Sequence, residues 1–98
     1  MALPIRYSPR ALFEYESILD YIIQNFGWSK AMEVDSYFEN IIFQIAKNPW
    51  MYPTFDIKRD IRRCVISKQT SFFYRISDKR IEIISFRGSL INPKNLNL

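Results

Sequence analysis

The chain has 98 residues, 48% hydrophobic and 16% aromatic, with a formal net charge of +4, enough for one packed core and too few for a second domain. It contains no histidine, one cysteine and two glycines. That excludes imidazole acid–base chemistry and Ser-His-Asp or Cys-His nucleophile sets, argues against a zinc site, and leaves no glycine-rich phosphate loop or dinucleotide fingerprint, so neither a metal nor a cofactor is expected.

The charge is unevenly placed. Residues 1–57 carry four Lys/Arg against seven Asp/Glu, whereas residues 58–98 carry ten against three. A basic half in so small a chain predicts a surface that meets an acidic partner, nucleic acid or protein. Cys64 cannot form an internal disulfide and lies within a strand pattern, which suits a small buried residue in a reducing cytoplasm. The start, MALPIRYSPR, has no apolar signal core, and no apolar run approaches the roughly 20 residues of a membrane span. A soluble, unprocessed cytoplasmic protein without membrane contact is therefore expected.

In chain order, residues 3–7 (LPIRY) read as an edge strand. Ser8-Pro9 is a helix start, with Ser8 as N-cap and Pro9 at the first helical position. The stripe Leu12, Tyr15, Leu19, Ile22 and Phe26, flanked by Ile18 and Ile23, predicts an amphipathic helix ended by Gly27 in a left-handed conformation, with Glu14, Glu16 and Asp20 largely off the stripe. A second helix, capped by Ser29, carries Ala31, Val34, Phe38, Ile41, Ile42 and Ile45 and stops at Asn48-Pro49. The short connection makes the two an antiparallel hairpin that needs a sheet to cover it. Residues 48–58 (NPWMYPTFDIK) read as a loop pinned to the core by Trp50, Tyr52 and Phe55, the alternative being a base-stacking platform.

Residues 61–88 (IRRCVISKQTSFFYRISDKRIEIISFRG) read as three antiparallel strands turning near Lys68-Gln69 and Asp78-Lys79. With even-length loops, Arg62 faces Arg75, which faces Glu82. Cys64, Phe73, Ile84 and Phe86 share that side. Ile61, Val65, Phe72, Tyr74, Ile76, Ile81 and Ile83 form a more apolar side against the helices, with Arg63 and Arg87 at its margins. A one-residue slip would reassign these faces. Residues 89–98 read as a tail or an extended arm. The expected fold class is α+β: an N-terminal edge strand, a helical hairpin and a three-stranded antiparallel meander, the helices on one face of a twisted sheet.

The segments IRYSPRAL (5–12), YIIQNFG (21–27), IAKNP (45–49), IRR (61–63), and SFFYRI followed by IEIISFRG (71–88) occur in an order and spacing that resembles the RelE/ParE superfamily of bacterial type II toxins, over residues 5–93. The resemblance implies a growth-arresting toxin neutralised by a cognate antitoxin in a hetero-oligomer. One branch of that family cleaves mRNA in the ribosomal A site with basic residues and often a C-terminal Tyr or His. The other poisons DNA gyrase. No Tyr or His follows Arg87 here, and Cys64 stands where a catalytic lysine is sought, so the gyrase-directed branch fits better. An inactive member that only binds antitoxin is a third reading. The residues expected to contact target or antitoxin are Arg62, Arg63, Arg75, Arg87 and Lys94; for a metal-independent ribonuclease the first four would hold the scissile phosphate.

Overall fold

A computed structural model describes residues 2–67, 70–77 and 79–88. Its elements are β1 (Ile5–Tyr7), α1 (Pro9–Phe26), α2 (Trp28–Lys47), a 3-10 turn (Pro49–Met51), β2 (Thr54–Asp56), β3 (Ile61–Val65), β4 (Thr70–Ile76) and β5 (Ile81–Gly88). The strands form one sheet in the order β1-β5-β4-β3-β2, with β1 parallel to β5 and the other pairs antiparallel. The expected edge strand, helical hairpin and meander are all present. The predicted tail or arm at 89–98, with Lys94, and the turn residues Lys68, Gln69 and Asp78 lie outside the described residues.

Local chemistry explains the helix ends. Ser8 is extended (φ −66°, ψ 157°) and its Oγ accepts the Ala11 N–H at 3.0 Å, with Pro9 next in line. Gly27 has φ 91° and ψ 171°, a positive-φ extended region open almost only to glycine. This is not the left-handed helical conformation expected of it. Its N–H donates to the Ile23 carbonyl, and its own carbonyl accepts from Ala31 N–H. One residue therefore ends α1 and starts α2, and Ser29 lies inside α2 instead of capping it.

The core corrects the α1 stripe. Ala11, Tyr15, Ile18 and Ile22 are the buried positions, whereas Leu12 and Phe26 are 48% and 64% exposed. Both sets keep helical spacing, and α1 packs against β5 with the set that begins at the fully buried Ala11 turned inward. On α2 the expected Ala31, Phe38, Ile41, Ile42 and Ile45 are buried, joined by Ala46, with Val34 half-buried. No helix among the described residues is long and apolar enough to cross a membrane.

Two register effects revise the faces of the sheet. β3 pairs with β4 one residue away from the expected alignment: Arg62 faces Tyr74, and Ile61 faces Arg75. This turns Cys64 into the core and leaves Val65 57% exposed. The Arg75–Glu82 pairing holds, but a bulge follows, so that Tyr74 pairs with Ile83 while Phe73 pairs with Ser85. The extra residue, Ile84, reverses the alternation of β5 beyond it. Phe86 thereby enters the core at 1% exposure, and Arg87 points to the open face.

The predicted loop at 48–58 contains a strand and a turn. β2 has only three residues and follows Pro53, so it exists through its pairing with β3, Thr54 to Arg62 and Asp56 to Ile61. Asp56 Oδ1 accepts the Arg59 N–H at 3.2 Å, and Asp60 takes φ 57°, a left-handed residue of the kind Asp tolerates in turns. Of the three aromatics expected to pin this loop, only Tyr52 packs on the core; Trp50 and Phe55 are 61% and 58% exposed.

Candidate functional site

The helices cover one face of the sheet, and the other face is open. On it β3 places Arg63, β4 places Phe73 and Arg75, and β5 places Glu82, Ser85 and Arg87. Arg63 is opposite Phe73, which is opposite Ser85, and Arg87 is opposite Ser71. The Arg87 guanidinium lies 5.9 Å from the Phe73 ring centre. Arg75 is more engaged: its Nε donates to the Arg59 carbonyl at 3.3 Å, and a terminal nitrogen lies 4.0 Å from Glu82 Oε1. Glu82 faces Arg75 as expected and answers part of its charge, while the expected Arg62–Arg75 pair is absent because Arg62 faces Tyr74.

Arg62 is on the other side. Its Nη1 donates to the Tyr52 carbonyl at 2.6 Å, and its guanidinium carbon lies 4.9 Å from the Trp50 ring centre. Together with Tyr74, whose hydroxyl donates to the Pro49 carbonyl at 2.8 Å, it fastens the segment that leads into β2. Arg62→Ala should cost about 1–3 kcal/mol of stability through a lost charge-assisted hydrogen bond and ring contact. Arg62→Lys should recover little, because an ammonium cannot both stack on Trp50 and reach the carbonyl as a planar fork does. Urea unfolding measures both. An Arg62→Ala protein as stable as the wild type would refute this fastening role.

Two hollows lie along the open face. The first, about 210 Å³, has Arg10, Arg59 and Arg87 at its edge and Phe55 and Phe73 in its wall. These two rings meet edge to face at 4.8 Å between centres. The second, about 260 Å³, is lined by Arg63, Ser71, Arg87 and Val65 among others. Arg87 belongs to both. Of the residues singled out from sequence, the open face therefore brings together Arg63, Arg75 and Arg87. Sequence reasoning missed Arg10 and Arg59. Arg10 was legible only as a residue of the first helical turn, and Arg59 depends on the β2–β3 turn, which the loop assignment concealed.

No phenol stands on this face. Tyr15 and Tyr74 are buried in the core, Tyr7 and Tyr52 are half-buried against it, and Tyr21 and Tyr37 belong to the helices. Burial pushes the Tyr7 hydroxyl up to about 12, helped by the nearby Glu39 and Asp35 carboxylates. Burial also raises Tyr74 to about 12, and Tyr52 to about 12 with a contribution from its hydrogen bond with Cys64. Tyr15, buried and donating to Asp35 Oδ1, is pushed up furthest. The Cys64 thiol is likewise raised by burial.

These shifts have a consequence for alkaline stability. An unfolded tyrosine ionises near pH 10, so above that pH unfolding releases protons that the native state retains. The stability from these buried phenols is complete below about pH 10 and is lost as pH rises through about 12. Absorbance at 295 nm should show the buried tyrosines ionising together with loss of the far-ultraviolet dichroism. Their ionisation near pH 10 with the fold intact would contradict this.

No protein-family model and no curated protein matches the sequence. Solved structures do match. The chromosomal ParDE toxin–antitoxin system of P. aeruginosa superposes with a TM-score of 0.74 at 13% identity, over 89% of this chain and 96% of that one. The YoeB/ParE toxin of Agrobacterium tumefaciens gives 0.66 at 14% identity, over 88% and 98%. The E. coli DinJ-YafQ toxin–antitoxin complex gives 0.61 at 11% identity, over 91% and 94%. Coverage is near-complete on both sides in each case, and the chain shares the fold of these solved toxin and toxin–antitoxin structures.

Proposed function

We propose that this chain is the toxin of a type II toxin–antitoxin module, neutralised by a cognate antitoxin in a hetero-oligomer, and that when free it arrests growth by gripping DNA gyrase through the open face of its sheet. The observation that carries the reading is the composition of that face. Arg63, Arg75 and Arg87 stand there with Phe73, and no imidazole or phenol accompanies them among the described residues. Arginines held on a rigid sheet bind anionic groups well but exchange no protons near neutral pH, which suits gripping a partner more than cutting a substrate. The likeness to ParDE and DinJ-YafQ, both solved as toxin–antitoxin systems, supports the antitoxin partner.

A second reading, ribosome-dependent mRNA cleavage, draws on the second hollow, whose lining combines Arg63 and Arg87 with the Ser71 hydroxyl, residue types that bind a phosphate. Purified protein separates the two. On the gyrase reading it inhibits supercoiling, induces DNA-damage signalling in cells, and leaves translation in a cell-free extract unaffected. Cleaved ribosome-bound mRNA with normal supercoiling would transfer the assignment to the second reading. Expression without any growth defect would defeat both.

A further inference from the structure

Among the described residues β1 pairs with β5 only from Ile81 to Ile83, and none supplies a strand to the outer side of β5 beyond that point. The backbone groups facing that way still need partners. The start of α1 supplies three. Ser8 N–H donates to the Ile83 carbonyl at 2.9 Å, Ser8 Oγ donates to the Ile84 carbonyl at 2.7 Å, and Glu14 Oε1 accepts the Phe86 N–H at 2.9 Å. This is the stretch that contains the bulge, where a one-residue slip would move Phe86 out of the core and Arg87 off the open face.

Glu14 has a second contact. Its side chain is only 13% exposed, and Oε2 lies 3.1 Å from Nε of Arg10, one turn earlier. Arg10 is largely exposed and borders the first hollow with Arg59 and Arg87. Binding through Nε leaves the two terminal nitrogens of Arg10 free to meet a ligand. Arg59 is arranged alike, its Nε 3.6 Å from Asp56 Oδ2. Arg87 has no carboxylate within ion-pair distance among the described residues. Three guanidinium groups thus border one hollow, and among the described residues that line it Asp56 is the only acidic one. One carboxylate sets two of them: Arg10 directly, and Arg87 through the backbone of Phe86.

We propose that Arg10 is a further anion-binding residue of this face, and that Glu14 is a positioning residue that holds Arg10 and Arg87 at the separation needed to grip one anionic group, carboxylate or phosphate. The identity of the macromolecule supplying that group rests on the toxin reading; the anion subsite does not. The test is a titration of the full chain with inorganic phosphate and, separately, with acetate at constant ionic strength, following the arginine Nε–Hε resonances and the exchange of the Phe86 amide. In the wild type the Arg10 and Arg87 signals should move together. Glu14→Gln, whose amide oxygen still accepts the Phe86 N–H, should weaken the Arg10 response about threefold and spare that of Arg87. Glu14→Ala should weaken both and speed Phe86 exchange about tenfold or more. Combining Arg10→Ala with Glu14→Gln should be no worse than Arg10→Ala alone.

Ile42→Val, a core change away from the hollow, serves as the control for lost stability and should leave the anion response unchanged. Response to phosphate alone or acetate alone names the chemistry of the target group, and response to both supports a general anion subsite. An Arg10 signal silent to both anions overturns the proposal. So does a folded Glu14→Ala protein whose Arg87 still responds as the wild type does. None of these readouts requires toxicity, so a wild-type chain that fails to arrest growth counts against the toxin reading alone.

Discussion

Phe86→Ala should destabilise the protein by about 3–5 kcal/mol, the cost of emptying a buried phenylalanine site, and lower the melting temperature by on the order of 15–30 °C. Phe86 is 1% exposed, and its ring centre lies 5.3 Å from Tyr15, 5.5 Å from Phe72 and 6.1 Å from Phe38. It therefore joins α1, α2 and β4, and its removal strips contacts from all three at once. The rigid aromatic neighbours and the sheet on which they stand limit collapse into the space, which places the cost in the upper part of the range for large-to-small changes. Thermal unfolding followed by circular dichroism measures it. The experiment also tests the bulge. In a sheet that alternated regularly through Ile84 and Ser85, Phe86 would lie on the open face, and its truncation would cost little. A loss below about 1 kcal/mol would contradict the observed register.

The order of elements was legible because it depends on local signals: Ser8-Pro9 to start a helix, Gly27 to divide the hairpin, and Asn48-Pro49 to stop it. The faces of the sheet were only partly legible, because their assignment depends on counting through turns, and an error of one residue inverts a strand. Phe72, Tyr74, Ile81 and Ile83 were placed on the core side correctly, because they precede the bulge or belong to β4. Arg62, Cys64 and Val65 were inverted by the β3 register, and Phe86 and Arg87 by the bulge. Neither turn carries the Asn-Gly or Asp-Gly pair that fixes a two-residue hairpin. The bulge has no glycine to announce it. It is held from outside, by Ser8 and Glu14 some seventy residues earlier in the chain, and a contact of that kind has no local signature in sequence. For the candidate site the consequence was an exchange of membership: Arg62 left the open face, Arg63 and Arg87 came to it from the margins of the apolar side, and Arg10 and Arg59 joined them.

That exchange determines which arginine should matter most. Arg75 already spends Nε on the Arg59 carbonyl and lies near Glu82, so part of its charge is answered within the protein. Arg87 has no such answer among the described residues, borders both hollows and stands over Phe73, an apolar surface that strengthens a charge contact once a partner excludes water. If the proposed gyrase reading holds, Arg87→Ala should therefore weaken inhibition of supercoiling by roughly 30- to 1,000-fold, corresponding to about 2–4 kcal/mol for truncating a charge that becomes buried in the complex. Arg75→Ala should cost about tenfold or less. Because the Arg87 side chain is exposed in the free protein, folding stability should change by no more than about 0.5 kcal/mol. Arg87→Lys should restore only part of the activity, since it keeps the charge and loses the planar fork. Supercoiling assays with gyrase, alongside thermal unfolding of each variant, separate lost contact from lost folding. A stable Arg87→Ala protein that inhibits as strongly as the wild type would remove Arg87 from the binding surface, and with it the reason for placing that surface on the open face of the sheet.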